Sequence, residues 1–333
     1  MPINFAIIGA GRIANVHAGA IRGNPEARLV AVADALPAAA AAFADRWGCI
    51  ARDPGEIAAD PDVAAVLICT PTDTHADLIE TFGKAGKHVF CEKPVDLDVG
   101  RARAVVAAAE AAGAKLMLGF NRRFDPHFRA VRDAIDAGRI GAVEMATITS
   151  RDPAAPDLAY VARSGGIFRD MTIHDLDMAR FLLGEDPVSV SAHASVLVEP
   201  EIGKVGDFDS VTVILETASG KQAAISNSRR ATYGYDQRIE VHGSKGVVSA
   251  ENQRPVSIEV GDAEGYHRPP LLNFFMNRYT ASYAAEIASF VDCIARDGTP
   301  DPSGADGVEA LRLAEACVRS VAEKRRVALS EIA

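Results

Sequence analysis

Along the first third of the chain, apolar positions fall in short continuous runs rather than in alternation. Ile3–Ile8, Ala27–Ala33, residues 63–69, His88–Cys91 and residues 115–119 are such runs. Between them lie Ala-rich stretches of high helix propensity, Pro37–Trp47 and residues 99–112, with few breakers. Continuous apolar strands separated by helices predict a parallel sheet covered on both faces, the doubly wound α/β class of a Rossmann domain. The rhythm changes after Gly119. Phe128, Val131 and Ile135 still mark a helix over residues 124–137, with Gly138 near its end. From Ala142 onward, β-type segments follow in series at residues 142–149, 188–197, Ser210–Thr217, Gln222–Ser228 and residues 238–241. Ser219-Gly220 and Gly243-Ser244 fit turns between successive strands. This half predicts an α+β domain with an open, mostly antiparallel sheet. Helices at Ile173–Leu183 and at residues 279–296 and 307–324 would pack on it. The domains so predicted are 1–120 and 121–333, with the last helix able to pack back on the first.

Composition narrows the classes. Of 333 residues 48% are apolar, ample for two cores, yet no run is long and apolar enough to cross a membrane. The opening Met-Pro-Ile-Asn-Phe lacks the basic start of a secretory leader and reads as strand. A net charge of −10 argues against a nucleic-acid partner. The five cysteines show no paired metal-ligand spacing and read as reduced thiols of a cytoplasmic protein. His174, Asp175 and Asp177 lack a second His or Cys cluster, so no metal site is expected.

Gly9-Ala10-Gly11-Arg12-Ile13-Ala14 follows the first strand and opens a helix. The first glycine permits a tight turn, the second lets backbone approach a pyrophosphate, and the small Ala14 lets the helix pack close to the strand. The helix start then offers N–H groups and a positive dipole end to the phosphates. The second strand ends at Asp34, at the spacing of a carboxylate that takes the adenosine ribose, although Asp34 also reads as a helix N-cap. A carboxylate there repels a 2′-phosphate, and Ala35-Leu36-Pro37 bring no Arg or Lys, which favours NAD over NADP. Thr70, Pro71 and Thr72 fall at the carboxyl edge of the third apolar run. His75 follows them and reads, on its own, as an exposed residue in a helix's first turn.

Glu92-Lys93-Pro94 ends the next strand, and Gly119-Phe120-Asn121-Arg122-Arg123-Phe124-Asp125 follows another. Gly165-Gly166-Ile167-Phe168-Arg169-Asp170-Met171-Thr172-Ile173-His174-Asp175 comes later, and then the stretch from Asn227 to Arg238. With the glycine loop, and in this order, these motifs resemble the Gfo/Idh/MocA oxidoreductase family, and within it the bacterial inositol-oxidising branch. The resemblance runs essentially end to end. It implies the two-domain fold above and oligomeric assembly, often as homotetramers. It also implies NAD-linked oxidation of a small polyol, with myo-inositol oxidised at its 2-hydroxyl. The same scaffold also serves dehydrogenases of other cyclitols or pyranoses, NAD-dependent glycosidases and non-catalytic nucleotide sensors.

Carried over by position, the resemblance makes Lys93, Asp170 and His174 the catalytic group. Gly9, Gly11, Arg12, Ile13, Asp34, Thr70, Pro71, Thr72, His75, Glu92, Lys93 and Asn121 become cofactor contacts. Taken singly, Lys93 reads as a surface lysine, Asp170 as an N-cap and His174 as a packing histidine. A cis bond before Pro94 also fits the resemblance. For the substrate hydroxyls the candidates beside the catalytic group are Arg123, Asp152, Asp177 and Tyr235. Arg123 could equally serve the cofactor or a salt bridge, and Tyr235 the core.

Overall fold

A computed structural model describes residues 2–332, so the expected domain ends Met1 and Ala333 lie outside the described residues. The chain forms two compact units, neither continuous in sequence. Residues 2–125 join Thr280–Arg312 in the first, and Pro126–Tyr279 join Leu313–Ile332 in the second. The expected second domain, 121–333, therefore gives up residues 121–125 and Thr280–Arg312. The reason is apolar burial: Ile287, Phe290 and Val291 of helix Thr280–Ala295 complete the core built by Phe5, Ile7 and Phe90. Phe290 lies with its ring 6.2 Å from Phe5 and 5.9 Å from Phe90.

In the first unit β1 (Ile3–Ile8), β2 (Ala27–Ala33), β3 (Ile50–Ala51), β4 (Ala65–Ile68), β5 (His88–Cys91) and β6 (Leu116–Leu118) form one sheet. Its order is β3-β2-β1-β4-β5-β6, and every pair is parallel. All four residues of β4 are buried, as expected of a strand covered on both faces. Strand order reverses between β1 and β4, and open α/β sheets bind ligands at the carboxyl end of that reversal.

The second unit carries β7 (Val143–Arg151), β8 (Pro187–Ser195), β9 (Ser210–Thr217), β10 (Gln222–Ser228), β11 (Asp236–Gly243) and β12 (Gly246–Ala250). A small hairpin, β13 (Val260–Asp262) and β14 (Gly265–His267), stands apart, and β15 (Val327–Ala328) closes one edge of the main sheet. The order is β12-β11-β7-β10-β9-β8-β15, with β7 and β10 parallel and the other pairs antiparallel. Alternation decides which face is inside: Val211, Val213 and Leu215 of β9 are buried, as are Ala223 and Ile225 of β10. Helix Ile173–Leu183 packs on β7 and β10 and buries Leu176, Ala179 and Leu182. On the other face Met145, Ile214 and Val247 stay exposed.

Candidate active site

The first unit holds the glycine loop. Gly9 has φ +96°, and a Cβ there would lie 2.8 Å from the Cys69 carbonyl carbon and oxygen, so only glycine fits this turn. A Cβ on Gly11 would meet nothing within 4 Å, which leaves open space for a ligand beside the backbone. Helix Arg12–Gly23, which buries Ala14, begins with no side-chain cap and no acidic residue in its first turn. Its leading N–H groups and positive end are thus left for an anion. Arg12 and Ile13 stand at that start. Asp34 spans the turn beside them, accepting from the Ala10 N–H at 2.7 Å and the Leu36 N–H at 2.8 Å. Helix Pro37–Trp47 is capped at Leu36 with no side-chain bond, so the N-cap reading of Asp34 does not hold.

Past β4, the Thr74 hydroxyl donates to Thr70 Oγ1 at 2.7 Å and shapes the Thr70-Pro71-Thr72 turn. His75 is only 1% exposed, which overturns its reading as a surface residue. Its Nδ1 lies 2.7 Å from the Pro94 carbonyl oxygen and its Nε2 2.9 Å from that of Thr70. The ring thus lies between the strand-end turns at Thr70 and Pro94, and in its neutral form donates to one of the two carbonyls. Burial holds its pKa below the ordinary imidazole value, against the raising effect of the two carbonyls.

The Lys93–Pro94 bond is cis, and Lys93 is half-buried at the end of β5. Glu92 turns inward: its Oε1 lies 2.6 Å from Nε2 of the fully buried His17, and a Cβ on Gly119 would come within 3.0 Å of its other oxygen. The Glu92 carboxylate is thus engaged by His17. Asn121 is buried, its carbonyl accepts from the Ser282 hydroxyl, and its Nδ2 has no partner among the described residues. The Arg123 guanidinium pairs with Asp301 at 2.8 Å and Asp306 at 3.0 Å, the salt-bridge alternative.

The second unit carries the remaining candidates. Gly165 and Gly166, at φ +82° and +83°, lead into a π turn, Phe168–Thr172, that continues into helix Ile173–Leu183. Such turns recur at functional sites. Asp170 lies in the π turn and His174 one turn on, four positions apart along one continuous helical path. Asp170 does not cap the following helix. Its carboxylate accepts from the Tyr160 hydroxyl at 2.7 Å and lies 3.3 Å from Arg229 Nη1. Asp175 faces the sheet, bound by the Ser150 hydroxyl at 2.6 Å and the Asn227 amide at 2.8 Å. Among the described residues no group of three or more His, Cys, Asp or Glu is placed to hold a metal ion.

Asp177 is buried one turn past His174, with Arg180 at 3.8 Å, and Asp152 follows β7, its N–H bound to the Ser228 carbonyl. Tyr235 is buried edge-on against Phe274 and Tyr279. Its neighbour Tyr233 is 50% exposed, with its hydroxyl 2.9 Å from Arg151 and 2.6 Å from Asp236.

Three residues that sequence reasoning passed over hold these candidates in place. The alternation Ala223, Ile225, Asn227 runs on to Arg229 and assigns it to the buried face. His17 falls with Ala14, Ala18 and Ile21 on the buried stripe of its helix. Tyr160, in a four-residue helix, had no such signal.

Residues 3–120 match the oxidoreductase family with an NAD-binding Rossmann fold, and residues 128–249 match the GFO/IDH/MocA C-terminal domain. The chain is 66% identical over 330 residues to the inositol 2-dehydrogenase of Rhizobium meliloti, covering 99% of this chain and 100% of that one. Its structure is similar to that of a myo-inositol dehydrogenase from Corynebacterium glutamicum, with a TM-score of 0.95 at 43% identity over 99% of each chain. A scyllo-inositol dehydrogenase from Lactobacillus casei, solved with NAD(H) and scyllo-inositol, gives 0.92 at 29% identity over 99% of this chain and 100% of that one.

Proposed function

Because the chain belongs to the Gfo/Idh/MocA oxidoreductase family, we propose that it oxidises myo-inositol at the 2-hydroxyl to the 2-ketone with NAD. The observation that carries this reading is the full-length 66% identity to a relative named inositol 2-dehydrogenase. The nicotinamide cofactor fits the residues present. An open backbone cradle stands at Gly11, an uncapped helix start follows it, and a buried Asn121 amide has no partner among the described residues. Gly9, Gly11, Arg12, Ile13, Asp34 and the Thr70–Thr72 turn would hold it. When bound, it supplies the hydride acceptor.

The chain's own groups do the rest. His174 takes the hydroxyl proton, a task suited to an imidazole because its unperturbed pKa lies near working pH. Asp170 orients that ring and stabilises its charged form. Lys93 donates to the reacting oxygen and stabilises alkoxide character as it develops. Asp152 and Asp177 supply acceptors for the remaining hydroxyls. The protein is further proposed to be cytoplasmic and homotetrameric. Five free cysteines and the exposed apolar side chains Met145, Ile214 and Val247 on one sheet face support this.

NADH formation from a panel of inositol isomers and aldoses, with NAD and NADP in parallel, tests the reading. The expected result is NAD-linked turnover, fastest with myo-inositol. Lys93→Ala and His174→Ala are expected to lower kcat by about 100-fold or more while NAD still binds. Turnover of no free polyol would revive the glycosidase or sensor readings, and faster NADP-linked turnover would refute the role given to Asp34.

A further inference from the structure

Arg229 is the largest side chain buried to within 1% exposure among the described residues. A guanidinium keeps its charge at any accessible pH, so its burial demands partners. Its Nη1 lies 3.3 Å from Asp170 Oδ2 and its Nη2 3.4 Å from Asp207 Oδ2. The other oxygen of Asp207 accepts the Ile167 N–H at 2.9 Å, at the entry to the π turn. A Cβ on Gly166 would lie 2.9 Å from that same oxygen, which gives the second glycine of the Gly165-Gly166 pair its physical reason. The other oxygen of Asp170 takes the Tyr160 hydroxyl.

Neighbouring charges are engaged elsewhere. Arg169 reaches Glu315 and the Gly165 carbonyl, and Asp209 accepts three N–H groups from Leu197, Val198 and Glu199. Arg230 extends toward the carbonyls of Leu197 and Val198.

We infer that Arg229 is a positioning residue: by joining the carboxylates of Asp207 and Asp170 it ties the entry of the π turn, at Ile167, to its middle, at Asp170, on the path that leads to His174. This rests on the roles proposed above for Asp170 and His174. Without the guanidinium, two carboxylates face each other across a buried space, and the geometry of the Asp170–His174 segment is lost. The glycine loop belongs to the first unit, so NAD affinity is not what Arg229 governs.

Full-length Arg229→Lys, Arg229→Met and Asp207→Asn variants test the inference. The measurements are kcat with myo-inositol, NAD affinity by calorimetry, and the primary isotope effect with substrate deuterated at the oxidised carbon. Amide exchange over residues 166–174 is followed alongside. Arg229→Met is expected to lower kcat by about 100-fold or more with NAD affinity within about threefold, and to raise the isotope effect as the chemical step slows. Arg229→Lys should regain about tenfold of that loss, since it keeps the charge but not the fork. If Arg229→Met does not fold, Asp207→Asn carries the test, with an expected loss of about tenfold and faster exchange at Ile167. An unchanged kcat, or a joint fall of kcat and NAD affinity with no change in isotope effect, overturns the inference. A wild-type protein inactive on every polyol refutes the substrate reading alone. The exchange measurement still decides, because unaltered protection over residues 166–170 in Asp207→Asn overturns the tie.

Discussion

Glu286, on helix Thr280–Ala295, has no exposed surface, and neither carboxylate oxygen has a hydrogen-bond partner among the described residues. Burial, reinforced by the charge of Glu92, holds its pKa well above the ordinary carboxylate value. In the unfolded chain this group releases its proton near the ordinary value, whereas the folded protein retains it. The unfolded state therefore binds fewer protons, and stability falls as pH rises above that value, by about 1.4 kcal/mol per pH unit until the folded group itself ionises. Glu286→Gln should remove this slope. Thermal unfolding between pH 5 and pH 8 is expected to show a smaller decline for the variant, about 1 kcal/mol or more in its favour at the upper end; parallel curves would refute the assignment. At this scale the sequence was legible in residue type more than in partner. Lys93, Asp170 and His174 stand in a recognisable order, but nothing along the chain pairs Arg123 with Asp301 and Asp306, or turns Glu92 toward His17. Such partners come from distant segments, and one sequence does not display them.

Among elements, those whose burial pattern repeats were read almost to the residue. Ser210–Thr217 and Gln222–Ser228 form as expected because alternation over seven or eight residues has one physical solution. The two-residue strands β3 and β15 and the fully exposed hairpin β13–β14 carry no period, and they pair only because the rest of the molecule brings them together. The π turn was hidden for another reason, since its residues suit an ordinary helix equally well. The junction of β1 with the next helix supplies a test of element geometry. Gly9→Ala forces a side chain into positive φ and against the Cys69 carbonyl, so a loss of roughly 1–3 kcal/mol is expected in denaturant melts. Gly11→Ala meets no atom of the protein and should leave the melting curve unchanged while weakening NAD binding by about tenfold or more. Equal effects of the two on both measurements would contradict the division between fold and cradle.

For the whole molecule, the sheet of the second unit offers a surface test of the proposed oligomer. Met145 pairs with His242, which pairs with Val247, and these stand with Ile214 on the face that helix Ile173–Leu183 does not cover. Met145→Glu combined with Ile214→Lys should shift the mass measured by light scattering to a smaller species while the circular dichroism spectrum is kept. An unchanged mass would place the assembly surface elsewhere. Fold class was readable from patterning at this scale, but the division of the chain was not, because helix Thr280–Ala295 looks alike in sequence whichever core receives it. That helix has a consequence for how the protein comes into being. A nascent chain emerging from the ribosome exposes the whole parallel sheet long before Ile287, Phe290 and Val291 have been made. The nucleotide-binding half must therefore wait, incompletely packed, through some 150 residues of further translation, at about 5–20 residues per second. The second half faces the same delay, since its closing strand Val327–Ala328 is made after helix Thr280–Ala295. Neither half is a finished piece until the distant segment that closes it has been made.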